Sequence, residues 1–423
     1  MYATSNNFLT MKKILLFSSA LLLMGWLPAC KKNDNPPPVP EPVIIELTEG
    51  AGEVIGSSNQ FGIELFTRTA TEEPGNMMLS PLSASIALTM ALNGSASQTY
   101  TQMHQMLGYP EDMTIQQVNQ AYQSLVSQLL SVDPKVKIAL ANALFYRLGF
   151  MVKPTYLETM EDDFDAHVEG LNFSLPAALA TINGWASDNT FGKIPEVLQE
   201  ISPDAVMFLM NALYFKGDWT YQFDEDETTN QPFHLDDGTD INVPTMAGNV
   251  GAMRYSGNNF RAIELPYGQS NFSMVVIVPN GTLSSFYPGL TPAVWEEVTS
   301  ALDAQTDWIK TDVLMPKFEF DYEKILNDQL KAMGMTDAFL PFSADFSGIT
   351  DEQIFISFVK QNTYVMVNEE GTEAAAVTTI GFENTSVGPD TPFFFIDKPF
   401  VFAIRERTTN TLLFIGSVTN PLN

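Results

Sequence analysis

The sequence predicts an α+β fold, because long apolar strands and well-marked helices occur in the same chain. Two near-continuous apolar runs, Ile138 to Leu148 and Ala205 to Phe215, are typical of strands that are buried on both faces. The segment Asn76 to Ser95 predicts a helix, with Ser80 as its N-cap and Pro81 as its first residue. Hydrophobic residues make up 45% of the chain, which is enough to build a large core.

Further elements follow along the chain. Residues Pro176 to Phe191 predict a helix, whereas Ser273 to Pro279 and Met315 to Phe320 predict buried strands. Near the C-terminus, Ile354 to Val367 is rich in β-branched and aromatic residues, and Phe393 to Ile404 is a dense apolar run. We expect both of these segments to be strands.

The N-terminus predicts an export signal. Lys12-Lys13 precedes the apolar run Ile14 to Trp26, which is shorter than the ~20 residues that a membrane span needs. Leu27-Pro28-Ala29-Cys30 then resembles a bacterial lipobox, which implies cleavage before Cys30 and a lipid attached to that residue. A plain secretory signal with an unrelated cysteine is the alternative, and Met11 is an alternative start to Met1.

The predicted organisation is a signal peptide in residues 1–30, a proline-rich tether in residues 31–46 and a folded region in residues 47–423. Prolines in Lys31 to Val43 favour extended polyproline geometry, which makes a stiff spacer. Cys30 is the only cysteine, so a lipidated protein would have no thiol for disulfides, catalysis or metal binding. We expect a protein anchored in the bacterial cell envelope, in an outer membrane, with its folded region facing the periplasm or the cell surface.

Composition and motifs exclude several classes of function. The formal net charge of −29 disfavours nucleic-acid binding, because a polyanion would be repelled. The three histidines, His104, His167 and His234, lie in unrelated contexts. No Gly-x-Ser-x-Gly, His-Glu-x-x-His or phosphate-binding glycine motif occurs in the sequence. The sequence therefore predicts neither an enzyme nor a site for a metal or a cofactor.

The long segment between the two C-terminal strands combines features of a loop and of a strand. Asn368-Glu369-Glu370-Gly371 is prone to form a turn, and the residues from Thr372 to Phe382 suit a strand. Even-numbered side chains of such a strand would share one face, and none of them is charged. The other face would carry Glu373 and Glu383, the only charges in the span. This loop is therefore able to become a strand with one buried face.

Several motifs in this chain resemble those of a known protein family. GTEAAAVTT (Gly371 to Thr379) resembles the hinge of inhibitory serpins, and FFIDKPFVFAI (Phe394 to Ile404) resembles the C-terminal signature of the family. LLFIGSVTNP (Leu412 to Pro421) and NALYFKGDWTYQFD (Asn211 to Asp224) are further matches. The resemblance implies a single domain with a large central, mostly antiparallel β-sheet, further β-sheets, surrounding helices and an exposed reactive-centre loop.

The resemblance also implies roles for individual residues. The implied hinge comprises Glu370, Gly371, Thr372, Glu373, Ala374, Ala375 and Ala376. The region in which the sheet parts comprises Ser80, Ser83, Asn211, Gln361 and Trp219. Asn211 would reach toward the two serines, and Trp219 would pack where the loop begins to enter the sheet. Serpins usually carry a histidine at the position of Gln361; we expect the glutamine amide to keep the hydrogen bonds without their pH sensitivity.

The implied activity is irreversible inhibition of serine endopeptidases, and also of cysteine endopeptidases, by a suicide-substrate mechanism. The cleaved loop would insert into the sheet while the protease is still attached as an acyl-enzyme. Family spacing places the reactive bond at Thr385-Ser386, within residues 382–388, whereas counting back from Pro399 gives Gly388-Pro389, a poor protease substrate. No Lys or Arg occurs between Lys360 and Lys398, which favours elastase-, chymotrypsin- or subtilisin-like targets over trypsin-like ones.

The expected partners are therefore a target protease and a lipid membrane, and the expected state is a monomer. Two alternatives remain open. A serpin-fold carrier that does not inhibit should have charged or bulky residues on the face of its hinge that insertion would bury. In this chain that face consists of the even-numbered residues from Thr372 to Phe382, and none of them is charged. A nutrient-binding lipoprotein would leave the hinge and the C-terminal signature unexplained.

Overall fold

Two β-sheets and nine α-helices make up the part of the chain that the computed structural model describes, residues 39–372 and 392–423. The helices are α1 (Ala51–Glu72), α2 (Pro81–Asn93), α3 (Ser97–Leu107), α4 (Ile115–Leu129), α5 (Pro154–Phe164), α6 (Pro176–Asn189), α7 (Leu283–Phe286), α8 (Pro292–Asp303) and α9 (Asn327–Ala332). Short 3₁₀ helices lie at Glu225–Glu227, Tyr287–Gly289 and Asp337–Phe339. The α+β class predicted from the sequence is confirmed.

A six-stranded sheet holds the strands on which the candidate site is built. Its order is β10 (Phe318–Ile325), β11 (Lys360–Val367), β12 (Gly371–Thr372), β4 (Met207–Asp218), β2 (Val136–Arg147) and β3 (Ala166–Leu171). Neighbouring strands are antiparallel except β2 and β3, which are parallel. The short strand β12 therefore lies between β11 and β4.

A nine-stranded sheet packs on the other side of the core. Its main path runs through β1 (Met77–Leu79), β15 (Thr411–Val418), β14 (Phe400–Glu406), β8 (Phe272–Pro279), β7 (Phe260–Tyr267), β6 (Asp240–Ser256), β9 (Ile309–Pro316) and β13 (Phe393–Phe395). Strand β5 (Thr229–His234) pairs with β6 outside this path. Every residue of β8, β14 and β15 is buried, which explains their continuous apolar sequences.

Helix α2 carries residues of the candidate site into the core. Ser80 caps it, since the Ser80 side chain accepts a hydrogen bond from the backbone N of Ser83, and Pro81 occupies the first turn. The predicted cap and first residue are thus confirmed. Helix α6 covers the opposite face of the six-stranded sheet, where Ile182 packs with Phe145 and other apolar residues.

Three predicted elements are divided differently in the structure. The predicted helix from Asn76 begins only at Pro81, because the preceding residues form β1 and pair with β15. The predicted strand Met315 to Phe320 is two strands of different sheets, because Pro316 lacks the N–H needed to continue a ladder. The predicted strand Phe393 to Ile404 is likewise divided into β13 and β14, whose partners are β9 and β8 with β15.

The predicted bounds of strand β11 and of the N-terminal tether differ from what the structure shows. Strand β11 begins at Lys360, six residues later than the predicted strand Ile354 to Val367. The last residues of the predicted tether contact the domain: Asn271 accepts a hydrogen bond from Val43 N at 2.9 Å and donates one to Val43 O at 2.7 Å. Ile45 is also buried, so these contacts lie before the predicted domain start at residue 47.

Candidate functional site

A tight turn links β11 to β12 and positions the start of the predicted hinge. Asn368 Oδ1 accepts hydrogen bonds from the backbone N of Glu370 at 3.1 Å and of Gly371 at 3.2 Å. The backbone N of Asn368 donates to Gly371 O at 3.0 Å. A short polar side chain that bonds to its own following backbone is what favours Asn in turns. The turn predicted at residues 368–371 is confirmed.

The first residues of the hinge enter the six-stranded sheet as β12. Thr372 pairs with Val367 on one side and with Gly217 on the other, and Gly371 pairs with Asp218. A Cβ atom at residue 371 would lie 2.1 Å from the carbonyl oxygen of Gly217. The close approach of these two backbones therefore requires a glycine at residue 371.

Trp219 lies where the loop enters the sheet, as we expect from the sequence. Its indole Nε1 donates to Asn368 O at 2.9 Å, and its backbone N donates to Glu370 O at 2.8 Å. The indole stacks on the ring of Tyr267, with centroids 4.4 Å apart and planes 10° from parallel. The Tyr267 hydroxyl lies 2.5 Å from Thr372 Oγ1, and burial raises the pKa of this phenol. The stacked pair thus holds both the turn and the first hinge threonine.

A buried carboxylate fixes the turn from the other side. Glu369 is 5% exposed, and its carboxylate lies 2.7 Å from the ammonium of Lys317 and 2.6 Å from the hydroxyl of Thr228. Burial alone would raise the pKa of Glu369, but the hydrogen bonds from Lys317 and Thr228 outweigh it and lower this pKa. The backbone O of Glu369 also accepts from Phe223 N at 2.9 Å. The turn is therefore held by an ion pair that depends on an ionised Glu369.

Farther along the sheet, Gln361 on β11 joins the start of helix α2. Its Oε1 accepts from Ser80 N at 3.1 Å, and its Nε2 donates to Ser80 O at 2.8 Å. The Ser80 hydroxyl donates to Leu413 O on β15 at 2.8 Å. Ser83 takes part through its backbone N, which donates to Ser80 Oγ. Because an amide does not titrate in the physiological range, we expect this contact to be insensitive to pH.

Asn211 has a different partner from the one expected. Its Nδ2 donates to Oδ1 of Asn142 at 2.6 Å, because the register of β2 and β4 places these two residues opposite each other. Asn142 in turn donates to Phe164 O at 2.7 Å. Asn211 Oδ1 is buried and has no hydrogen-bond partner among the described residues. The expected contact with Ser80 and Ser83 is thus replaced by one with Asn142.

The two strands that flank β12 separate beyond it. Within residues 39–372 and 392–423, β4 and β11 are joined only through β12. A narrow cleft lies between them next to Thr372, lined by side chains of β4, β11 and the core. We call this cleft the slot; its lining includes Leu213, Tyr214, Phe215, Tyr364, Val365, Met78, Ile404 and Phe414. Most of these side chains are apolar, so the slot can bury one face of an added strand.

The structure brings together only some of the residues predicted for the site. Glu370, Gly371, Thr372 and Trp219 meet at the turn, whereas Ser80, Ser83 and Gln361 form a separate contact deeper in the sheet. The rest of the predicted hinge (Glu373, Ala374, Ala375 and Ala376), the reactive bond (Thr385 and Ser386) and the lipid anchor (Cys30) lie outside the described residues.

Sequence reasoning missed Tyr267, Lys317, Thr228 and Asn142. No local pattern marks these residues, because each comes from a strand or loop distant in sequence. The one usable signal was the position of Glu369, two residues before the hinge glycine, since a carboxylate buried at that point needs a cationic partner.

Within 39–372 and 392–423, no group of three or more His, Cys, Asp and Glu side chains is placed to hold a metal ion. In those ranges, no helix is both long and apolar enough to cross a membrane.

Comparisons with known proteins agree on one family. The family model described as Serpin (serine protease inhibitor) matches residues 56–421. An uncharacterized serpin-like protein of Methanosarcina mazei is 30% identical over 391 residues, which cover 87% of this chain and 88% of that protein. The leukocyte elastase inhibitor of Homo sapiens is 30% identical over 384 residues, which cover 87% of this chain and all of that protein.

Comparison with solved structures leads to the same family. The crystal structure of tengpin, a thermophilic serpin, in its native state matches with a TM-score of 0.79 and 29% identity, covering 90% of this chain and 97% of tengpin. Serpins act on proteases as inhibitors and are not catalysts, which is consistent with the prediction that this protein is not an enzyme. The chain belongs to the serpin family.

Proposed function

We propose that this serpin inhibits serine endopeptidases, with cysteine endopeptidases as a second class, by inserting its cleaved reactive loop into the six-stranded sheet. One observation carries the proposal: Gly371 and Thr372 form a strand between β11 and β4. These two residues are the first of the loop, and both are paired in the sheet. Insertion of the remaining loop would only extend this strand.

The register of β12 supports insertion along the whole of β4. Gly371 pairs with Asp218 and Thr372 with Gly217, so continued pairing would bring residue 382 opposite Met207, the first residue of β4. The same continuation would bring Thr378 opposite both Asn211 and Gln361. Asn211 Oδ1 lacks a partner among the described residues, and a threonine hydroxyl at this position would provide one.

The free energy of insertion favours the inserted form. About a dozen new backbone hydrogen bonds at ~1 kcal/mol each would stabilise the inserted form by on the order of 10 kcal/mol. Burial of Ile380 and Phe382, both on the uncharged face of the loop, would add about 2 kcal/mol each. The slot offers a largely apolar surface for that face.

The chemistry of the trapped complex follows the ordinary acyl-transfer path of the target. The serine Oγ of the protease attacks the carbonyl carbon of Thr385, and its proton passes through the histidine of the protease to the departing amine of Ser386. An ester then joins Thr385 to the protease. Insertion from Gly371 to Thr385 would carry this ester roughly 50 Å, at ~3.3 Å per residue, before water releases it.

The loop composition favours targets with small or apolar specificity pockets. Thr385 and Val387 suit an elastase-like protease, and Phe382 suits a chymotrypsin- or subtilisin-like one. A trypsin-like pocket would leave its buried carboxylate unpaired, since the sequence has no Lys or Arg between Lys360 and Lys398. The likeness to a leukocyte elastase inhibitor is consistent with the first choice.

Denaturing gel electrophoresis after incubation with a protease panel tests the proposal. We expect a covalent band, at the summed mass of the protease and of the inhibitor up to its cut, with elastase-, chymotrypsin- or subtilisin-like enzymes and none with trypsin. A protein that is merely cut, with no such band for any protease, would instead be a non-inhibitory carrier.

A second experiment compares thermal unfolding before and after the loop is cut. An inserted loop should raise the midpoint markedly, because it adds a strand to the sheet. Equal midpoints for intact and cut protein would contradict the proposed insertion.

We further propose that the protein is a monomeric bacterial lipoprotein, held in the cell envelope through Cys30 and facing the periplasm or the cell surface. The support is the lipobox-like Leu27-Pro28-Ala29-Cys30 and the proline-rich segment behind it. Fractionation of cells expressing the parent and Cys30→Ser tests it: the parent should sediment with membranes, and the variant should be soluble or retained as precursor. Equal distribution of the two proteins between membrane and soluble fractions would contradict the proposed lipid anchor.

A further inference from the structure

Residues 40–46 run along the surface of the domain, and we call them the docked segment. Two amide side chains hold it in the same way. The amide of Asn271 accepts from Val43 N at 2.9 Å and donates to Val43 O at 2.7 Å. The amide of Gln128 on α4 accepts from Glu46 N at 2.9 Å and donates to Glu46 O at 2.8 Å. Each pairing uses both backbone groups of one residue, as a hydrogen-bonded pair in an antiparallel ladder does.

A buried side chain lies between these two pairings. Ile45 is 5% exposed and packs in the hydrophobic core, and its backbone N donates to the hydroxyl of Thr408 at 3.3 Å. Burial of an isoleucine favours the docked arrangement over a free one. At the start of the segment, the Ser270 hydroxyl donates to Pro40 O. The chain is therefore part of the domain from residue 40 onward.

The side chains that receive the docked segment are themselves held in place. Ser270 and Asn271 lie in the turn between β7 and β8, and both are fully buried. Asn271 also donates to a carboxylate oxygen of Glu406 at 3.2 Å. The same oxygen accepts from the backbone N and the hydroxyl of Thr408, each at 3.0 Å. Glu406 thus joins two of the side chains that bind the segment.

The same turn borders the hinge of the reactive loop. Gly268 N donates to Asp218 O at 2.8 Å, and Asp218 pairs with Gly371. Only one residue separates Gly268 from Ser270, which holds Pro40. These steps place Pro40 no more than about 25 Å from Gly371. The docked segment therefore begins near the end of the six-stranded sheet from which the reactive loop departs.

The chain before the docked segment is short compared with the domain. Nine peptide steps separate Cys30 from Val39, which span at most about 32 Å when fully extended. A domain of this size is about 54 Å across. Along β4 alone, Gly217 and Met207 are ten residues apart, or about 33 Å. A spacer of this length favours contact of a membrane with the end of the domain near Gly371 over contact with the end near Met207.

We propose that the docked segment is a fixed base for the lipid anchor, which turns the reactive end of the domain toward the bilayer and the Met207 end away from it. The partner is the bilayer that takes up the acyl chains on Cys30, so this inference rests on the proposed lipid anchor. A flexible tether that reached residue 46 would leave the orientation free. Insertion along β4 would carry an acylated protease from the side that faces the bilayer to the side that faces away.

Energy transfer from a dye on the domain to acceptor-labelled lipid in phosphatidylcholine vesicles tests the orientation. Cys30 is the only cysteine, so Asp226→Cys or Met151→Cys adds one free thiol to the lipidated chain. Asp226 is exposed on the reactive side, two residues before Thr228, which bonds to the turn before the hinge. Met151 is 74% exposed and follows the end of β2 that pairs with Met207.

We expect transfer from residue 226 to exceed transfer from residue 151 at least roughly twofold, because the two ends of the sheet are about 33 Å apart and transfer falls steeply with distance. Equal transfer, or greater transfer from residue 151, would overturn the proposal. The soluble Cys30→Ser chain should show no transfer from either position.

A second arrangement separates the orientation from lipidation. A chain with Cys30→Ser and a decahistidine tag before residue 30 carries the same two dye positions and is held on vesicles by nickel-chelating lipid. If the parent is not lipidated in cells, the proposed anchor fails, but the order of the two transfer values on nickel lipid still decides the orientation. A larger value at residue 226 supports the fixed base, and any other order overturns it.

Releasing the docked segment should remove the difference between the two dye positions. Gln128→Ala combined with Asn271→Ala frees residues 40–46 and lengthens the spacer. Gln123→Ala is the matched control, since its amide on the same helix donates to Asp162 O at 2.7 Å, away from the segment. The control should keep the difference, and an undiminished difference in a folded double variant would overturn the role of the two amides.

An insertion of about 30 Gly and Ser residues between residues 38 and 39 tests the spacer without altering the domain. A flexible chain of this length no longer ties the docked segment to the bilayer surface, so the two transfer values should approach each other. This variant decides the proposal also where the double variant fails to fold. A difference that survives the insertion would show that the docked segment and its short spacer do not set the orientation.

Discussion

The side-chain amide of Gln361 pairs with the backbone of Ser80 through two hydrogen bonds, at 3.1 Å to Ser80 N and 2.8 Å to Ser80 O. This pairing joins strand β11, which flanks the slot, to the cap of helix α2 in the core. The carbonyl of Ser80 also accepts from Ala84 N at 3.0 Å within the helix. Among the described residues, the N–H of Ser80 bonds only to Gln361, whereas its carbonyl has a second partner in Ala84.

Gln361→Leu should lower the free energy of unfolding of the intact protein. The variant leaves the buried N–H of Ser80 without an acceptor, which costs about 1–3 kcal/mol. Urea unfolding of the intact protein measures the loss. Asn362→Ala is the control, since Asn362 bonds to the exposed carboxylate of Glu323 and should cost much less. Equal losses in the two variants would show that the contact with Ser80 is not special.

Acid should weaken the turn before the hinge through Glu369. The pKa of this carboxyl is lower in the folded protein than its ordinary value, because Lys317 and Thr228 bond to the ionised form. Its contribution is therefore complete above the ordinary pKa, about 4.3, and is lost as the pH falls through the lowered folded pKa. Thermal midpoints at pH 7 should be lower for Glu369→Gln than for the parent, and the gap should shrink toward pH 3.

Glu64→Gln is the control for this pH dependence. Glu64 pairs with Arg68 one helical turn away, but both side chains are more than 40% exposed. Such surface pairs contribute about 0–0.5 kcal/mol. A gap between parent and Glu369→Gln that stays constant from pH 7 to pH 3 would refute the role of the ionised carboxylate.

Much of the fold was predictable because buried strands leave continuous apolar runs. Strands β2, β4 and β8 were each located to within about three residues in this way. The division between β9 and β10 was not predicted, although Pro316 marks it, because the two strands follow each other directly and differ in the sheet to which they belong. Strand partners are set by packing between distant segments, which local patterns do not report.

In the candidate site, too, residues inside local motifs were predictable, whereas contacts between distant segments were not. Gly371, Thr372 and Trp219 were recognisable because they lie inside local motifs. Tyr267 was not recognisable, because its role depends on stacking against Trp219, which lies 48 residues earlier in the sequence. Asn211 was recognised but given the wrong partner, since its contact with Asn142 follows from the register of β2 and β4.

Thr372→Arg should convert the inhibitor into a substrate. Thr372 is 4% exposed and lies against the hydroxyl of Tyr267 in the uncut protein, so an arginine there would keep β12 out of the sheet, and insertion would then have to bury an unpaired charge. That costs several kcal/mol, enough to slow insertion below the hydrolysis of the acyl-enzyme. Denaturing gels should then show cut protein with little covalent complex. Thr372→Ser keeps the hydroxyl and should still form the complex; an undiminished complex with Thr372→Arg would show that the hinge is wrongly assigned.

The position of the cut is the last prediction. Family spacing places it at Thr385-Ser386, three residues beyond Phe382, where pairing with β4 would end. Those three residues would extend about 10 Å past the strand, so the ester would leave the sheet completely after full insertion. A cut after Phe382 would leave no such extension, and one at Gly388-Pro389 would require a bond that proteases cleave poorly. Mass spectrometry of the peptide released from the complex decides between them. A new amino terminus at Ser386 supports the assignment, and one outside residues 383–388 would contradict it.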